Sequence, residues 1–347
     1  MYAARVRLGN GFSKGLRADC TAVFFFYCYV LWIIRKDGRH PEATSCDTLG
    51  EIMKSALLVF FVLAVLNILP TRIASASAGD VTRFQFGDVT ILAISDATGD
   101  APVSLMPGLS REQRARLVPS GSMKSFINVF VLVTPTRTIL VDTGLGAGGK
   151  AFEALQAEGI TPDKVDLILL SHLHVDHVSG MLQDSQAIYP NAEVWLAEEE
   201  ASYWTSDEFM LMQSRERQPA FFLARQVLDA YADNIRVFAP NQVIVPGITS
   251  ILLPGHTLGH SGFILESRGG KMLFWGDTMH FAEVQLLAPD VPVTYDHDPQ
   301  QAVATRQSLL KYLVDEHIHV AGAHLPFPGV GTIAKKNNVL IFQPGVE

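Results

Sequence analysis

Cysteine is scarce in this chain of 347 residues: Cys20, Cys28 and Cys46 are its three, and none follows. Everything beyond residue 46 therefore folds and works without a disulfide or a thiolate metal ligand. Basic charge is also short. From residue 79 onward 18 Lys and Arg face 30 Asp and Glu, a formal charge of −12. Nucleic-acid binding calls for the opposite, a basic footprint, so no nucleic-acid partner is expected. Long apolar runs are missing as well. Residues 22–34, between Arg17 and Arg35, form a run of only 13 residues, where a membrane span needs roughly 20. After residue 78 there is no low-complexity tract, long linker or evident repeat. That portion is long enough for one large domain with a well-buried core.

What the N-terminal part does contain is a second apolar segment with processing signals. Met53-Lys54 precedes an apolar core at residues 55–66, Pro70 breaks the run, and Ala74-Ser75-Ala76-Ser77-Ala78 spaces small residues as a signal peptidase requires. Residues 53–78 thus read as a secretory signal peptide, cleaved near Ala76 or Ala78. Two accounts of residues 1–52 remain: an upstream over-extension of the reading frame before a true start at Met53, or a real membrane-proximal leader. The first places the mature chain, residues 79–347, in a bacterial periplasm or beyond. The second anchors it to the membrane through an uncleaved leader. The absence of a cysteine after the apolar core argues against lipid attachment.

The densest chemistry lies in His172-Leu173-His174-Val175-Asp176-His177, four metal-ligating side chains in six residues. It follows the strand-like residues 165–170, so a loop at a strand's end is expected, since a helix would scatter these side chains around its axis. Imidazole and carboxylate together suit zinc and similar first-row metals. Further ligand types recur where apolar runs stop: His256 and His260 after residues 251–253, Asp277 after Phe274, and His324 after Val320 and Ala321. One sheet edge is expected to bring them together. Strands at residues 84–94 and 126–141, turning at Gly87-Asp88 and Pro135-Thr136, alternate with a helix at residues 150–158 closed by Gly159. Such alternation fits an α/β (α+β) sandwich of αβ/βα type, two mixed sheets face to face with helices outside.

These motifs, in this order and with Val141-Asp142-Thr143-Gly144 ahead of them, resemble those of the metallo-β-lactamase superfamily over about residues 85–340. The resemblance implies that family's four-layer sandwich and a binuclear site. His172, His174 and His256 would hold one divalent ion, Asp176, His177 and His324 a second, and Asp277 would bridge them. Zinc is the expected metal, with manganese, iron or cobalt as substitutes. Hydroxide held between two ions would attack a lactone or ester carbonyl or a phosphotriester. Asp176 is the candidate to carry a proton to the leaving group, or else simply a ligand. Asp142 is expected to tie a turn beneath the metal loop, and His260 to orient a ligand through a hydrogen bond.

His280 reads equally as a pocket or a surface residue. His297, in Tyr295-Asp296-His297-Asp298-Pro299, belongs to a turn that leads into a helix near Gln300. His317 and His319 read as structural. Residues 285–289, 295–299 and His324-Leu325-Pro326-Phe327-Pro328-Gly329 are similar to the methyl parathion hydrolase-like group, which implies a secreted hydrolase and a homodimer. The expected substrate is a small apolar lactone, ester or phosphotriester. Only 23 residues follow His324, which disfavours glyoxalase II. A metal-stabilised periplasmic binding or scaffold protein without turnover, and weak β-lactamase action, are the alternatives. A structural site closing around one ion would not use the full ligand set.

Specificity is expected from loops. Residues 97–125 are expected to form a flap. Residues 199–240 are expected to form a helical insert carrying Tyr203, Trp204, Phe209, Met210, Met212, Phe221, Phe222 and Tyr231. Most of these pack the insert or a dimer contact; one or two line an apolar pocket.

Overall fold

The computed structural model describes residues 80–346. The expected signal peptide and leader, with all three cysteines, lie outside the described residues. Two seven-stranded sheets organise the rest. In the first, β1 (Val81–Phe86), β2 (Val89–Pro102), β3 (Ser122–Val133), β4 (Thr138–Val141), β5 (Leu167–Leu169), β6 (Glu193–Ala197) and β7 (Ile235–Phe238) lie in chain order. Pairing is antiparallel from β1 to β4 and parallel from β4 to β7. The second holds β8 (Val243–Val245), β9 (Ile248–Leu252), β10 (Ser261–Ser267), β11 (Gly270–Phe274), β12 (His319–Ala321), β13 (Val330–Lys336) and β14 (Val339–Pro344), also in order. Only β11 and β12 run parallel there.

The two-residue period of a strand explains the layering. Ile91 and Ala93 of β2, with Leu167 and Leu169 of β5, face Phe263, Leu265, Met272 and Phe274 of the second sheet. Their neighbours Leu92, Ile94 and Ile168 point the other way. That second face is just as apolar, so it needs cover. α2 (Ala151–Ala157) and α5 (Gln218–Ala230) supply it, with Ala154, Leu155, Phe221, Ala224 and Val227 buried against it. On the far side of the second sheet, α6 (Pro299–Asp315) covers Leu273, Val320 and Ile333 with Leu309, Leu310 and Leu313. The result is the expected sandwich of helix, sheet, sheet and helix. Each fully buried Leu or Ile contributes about 1.5–3 kcal/mol by leaving water, so these three interfaces outweigh the exposed ion pairs, at about 0–1 kcal/mol each.

Several expectations need correction. The ligand-bearing segments do not leave one sheet edge. Residues 172–177 follow β5 of the first sheet, whereas His256, Asp277 and His324 follow β9, β11 and β12 of the second. The two sheets face each other, so their loops meet at one end. The metal motif is also only half loop: Val175–Val178 is one helical turn. Residues 97–125 are not a loose flap. β2 and β3 run on as a paired ribbon as far as Pro102 and Ser122, and α1 (Arg111–Leu117) crosses its tip. Met106 and Met123 anchor it in a small core with Phe281, Val284 and Val291. The insert is helical through α3 (Glu198–Thr205), α4 (Asp207–Met212) and α5, but its last part is the edge strand β7. His317 lies in a turn with φ +54° and His319 opens β12. Among the described residues no helix is long and apolar enough to cross a membrane.

Candidate metal centre

β4 ends at Val141, and Asp142 directly after it takes a positive φ of 57°, a conformation that Asp tolerates better than most side chains. This bend turns its carboxylate toward the next strand's end. Oδ1 accepts from Ser171 N at 2.8 Å, and Oδ2 accepts from Ser171 Oγ at 2.7 Å and lies 2.8 Å from His177 Nδ1. Ser171 Oγ is also 3.0 Å from His172 Nδ1. One buried carboxylate and one hydroxyl thus fix the outer nitrogens of two candidate ligands, leaving the Nε2 atoms to point inward.

Seven side chains meet above it. His172, His174, His256 and Asp277 form one group that could hold an ion, and Asp176, His177, Asp277 and His324 form another. Within each group all donor atoms lie within 4.8 Å of one another. Asp277 divides its oxygens between them. Oδ2 lies 3.2 Å from His256 Nε2 and 3.6 Å from His172 Nε2, whereas Oδ1 lies 3.0 Å from His177 Nε2 and 3.1 Å from His324 Nε2. Asp176 Oδ2 completes the second group at 3.5 Å from His324 Nε2 and 3.8 Å from His177 Nε2.

The donors fit a metal better than they fit one another. Atoms about 2.0–2.1 Å from a tetrahedral zinc ion stand about 3.3 Å apart. In the first group, His174 Nδ1 is 3.0 Å from His172 Nε2 and 2.9 Å from His256 Nε2. In the second, His177 Nε2, His324 Nε2 and Asp277 Oδ1 are buried with no hydrogen-bond partner. Buried polar atoms are seldom left so, and a cation is what can accept three converging lone pairs. Charge agrees. Burial alone would raise the Asp277 carboxyl, but His177, His324, His280 and His172 around it hold it well below the usual carboxylate range. Burial, with neighbouring histidines, pushes His172 and His174 well below the ordinary imidazole value. His256 goes the other way. Burial opposes its protonation, yet Asp277 and Asp296 carry it up to about 9.

The supporting groups are specific. His260 donates Nδ1–H to Leu253 O at 2.8 Å, and its Nε2 accepts the backbone N–H of Asp277 at 2.8 Å. Both nitrogens are thus engaged, and burial drops the ring to about 3. His260 is neutral and holds the backbone of Asp277. Gly276, at φ +52°, packs so tightly against His260 and Ser171 that a Cβ there would collide with both. His324 Nδ1 sits 2.6 Å from Phe126 O, and Asn128 Nδ2 donates to Gly322 O and Leu325 O on either side of it.

Asp296 is the orienting group that sequence reasoning passed over. Its Oδ1 lies 3.0 Å from His256 Nδ1, and its Oδ2 accepts from Val293 N at 3.0 Å. The segment is the turn expected before α6, and Asp298 caps that helix through Gln300 N and Gln301 N. Nothing in the spacing pairs it with a histidine 40 residues earlier. Asp296→Asn should lower the affinity for one ion by roughly 10–100-fold, as chelator competition would measure. An unchanged affinity would remove Asp296 from the centre.

A cavity of about 490 Å³ opens over the two groups, bordered by His174, Asp176, His256, Asp277 and His324. Its walls include Tyr203, Trp204 and Phe221 from the insert, Ala101 and Ile127 from the ribbon, and Phe281 and Tyr295. The other insert residues divide as packing dictates. Tyr231 is buried and Phe209 and Met210 pack on the core, whereas Met212 and Phe222 are exposed. His280 is a pocket residue, buried with Nε2 3.1 Å from Asp277 Oδ2 and its ring stacked on His324. His297 also borders the cavity, with Nδ1 3.3 Å from the Tyr203 hydroxyl.

Known proteins share this fold. The crystal structure of the hydrolase AbOPH, of the β-lactamase superfamily, is 28% identical and superposes with a TM-score of 0.71, covering 79% of this chain and all of that one. AidC, a dizinc quorum-quenching lactonase, superposes at 0.72 with 22% identity over 78% of this chain and 98% of its own. Exodeoxyribonuclease WalJ of Streptococcus pneumoniae is 36% identical over 81 residues, 22% of this chain. The chain spans less than a third of the length of the curated nucleases it matches, 29% in the case of WalJ. The model of the metallo-β-lactamase superfamily matches residues 124–324, more than half of the chain and the whole of the candidate centre. This chain belongs to the metallo-β-lactamase superfamily.

Proposed function

We propose that the chain is a binuclear metal-dependent hydrolase of small apolar lactones, esters or phosphotriesters. The observation that carries this reading is the division of Asp277 between two histidine sets, one oxygen toward each. In it, His172, His174 and His256 hold one ion, and Asp176, His177 and His324 the other. Two divalent ions, zinc by the chemistry of the donor set, would supply activated water and polarise the carbonyl or phosphoryl oxygen. The protein's own part is to fix those ligands, exclude bulk water and place the substrate. Asp176 is partly exposed to the cavity and can take a proton toward the leaving group. Tyr203, Trp204, Phe221 and Phe281 give the cavity an apolar wall, and its size suits a small ligand. AidC is described with an N-acyl-homoserine product, which supports the lactone class here. The acidic balance after residue 78 speaks against polyanionic substrates. Export through residues 53–78 belongs to the same reading and would be seen in N-terminal sequencing of the secreted protein.

A substrate panel tests the class: an acyl-homoserine lactone, an aryl ester, a phosphotriester, a cephalosporin and a short RNA, each with and without chelator. Chelator-sensitive turnover led by the lactone or the ester is expected. A lead for the cephalosporin or the RNA would contradict it.

A further inference from the structure

Glu200 is completely buried on α3, yet three of the four donors to its carboxylate come from the metal loops and only one from its own helix. Oε1 accepts Leu173 N at 3.0 Å and Trp204 Nε1 at 2.6 Å. Oε2 accepts Thr257 Oγ1 at 2.6 Å and Gly259 N at 3.1 Å. Leu173 stands between His172 and His174, and Thr257 and Gly259 stand between His256 and His260. A single carboxylate therefore ties a loop of the first sheet to a loop of the second. The approach is close enough that a Cβ on Gly259 would strike the backbone of Glu200. Burial raises the pKa of this carboxyl, and the four donors oppose the rise. Each partner is a donor, so a proton on either oxygen would displace one.

The contacts are one-sided. All three nitrogen donors of the first group come from the two loops that Glu200 joins. The second group depends on His177, held by Asp142, on Asp176 in the helical turn, and on His324, held by Phe126 O. Glu200 touches none of these. The same helix sets Tyr203 and Trp204 in the cavity wall, and the Trp204 ring meets His174 edge-on at 5.6 Å.

We infer that Glu200 is a positioning residue for the His172, His174 and His256 subsite, through which the insert sets the affinity of one of the two ions. This rests on the binuclear reading above. Glu200→Gln preserves size but turns one oxygen into a donor. The amide's NH₂ is best placed toward Thr257, whose hydroxyl can accept instead. Gly259 N then loses its acceptor, and the His256 loop loosens while Leu173 stays held.

The test is stepwise cobalt and zinc titration of the full chain against a competing chelator, with the thermal midpoint of the metal-free protein recorded alongside. In Glu200→Gln one ion should lose roughly tenfold or more in affinity while the other stays within about threefold. Thr257→Val, which deletes one partner only, should weaken the same ion by less and guards against a variant that does not fold. Two unchanged affinities would overturn the inference. Equal weakening of both ions with a lower metal-free midpoint would also overturn it, because that is what plain structural support predicts. Failure of the unaltered chain to take two ions would instead sink the binuclear reading, and this inference with it.

Discussion

Asp277→Asn should abolish nearly all turnover, by at least about 10³-fold, and cost the protein one bound ion. Both oxygens of Asp277 are committed, Oδ1 to His177 and His324 and Oδ2 to His256 and His280. An amide offers a single oxygen, and its NH₂ would face ring nitrogens that have lone pairs to donate. A metal centre supplies several kcal/mol of charge stabilisation in hydrolysis, and about 4 kcal/mol corresponds to that factor. The fold should survive, because the change is isosteric. Circular dichroism and metal analysis on the same sample separate loss of the centre from loss of the fold. Two retained ions with turnover within about tenfold of the unaltered protein would remove Asp277 from the bridge.

Stripping the metals should have an equally large effect on stability. The centre draws its donors from loops of both sheets, so an ion bound there links the two halves of the sandwich. An ion at about 1,000 times its dissociation constant stabilises the folded state by about 4 kcal/mol. Two such ions amount to about 8 kcal/mol, and a domain of this size shifts by roughly 2–4 °C per kcal/mol. Chelation is therefore expected to lower the thermal midpoint by about 15–30 °C. Loading should also depend on pH. With no ion bound, His256 protonates near 9 because Asp277 and Asp296 stabilise its cation. The ion must displace that proton, so apparent affinity is lost as pH falls below about 9. For that one proton it should climb by up to about tenfold per unit between pH 7 and 9, with proton release. Calorimetry in buffers of differing ionisation enthalpy reads the proton count. A midpoint unmoved by chelator, or an affinity flat in pH, would contradict this account.

The parts of this site that could be read from sequence are those written locally. His172 to His177 follows an apolar strand with four ligand types in six residues, and Leu92 beside Ile91, buried on opposite faces, makes the two-sided sheet readable from strand pattern alone. The supporting groups are written in distance. Asp296 reaches His256 across 40 residues, and Asn128 reaches the backbone beside His324 across 194 and 197. Glu200 closes an acidic run of three that reads as a solvated first helical turn, and only tertiary packing makes it a buried joint. The division of ligands between the two sheets was hidden for the same reason, since strand-end patterns look alike whichever sheet receives them. β7 reads in sequence as the tail of a helical insert because residues 235–238 are a short edge strand with two exposed members.

The binuclear centre is the claim on which the rest depends, and metal stoichiometry tests it most directly. The full chain, purified without chelator and then dialysed against zinc, should hold two ions per chain by elemental analysis. His324→Ala should reduce the count to one by emptying the Asp176 and His177 side alone. One ion per chain in the unaltered protein, or none after zinc loading, would contradict the account.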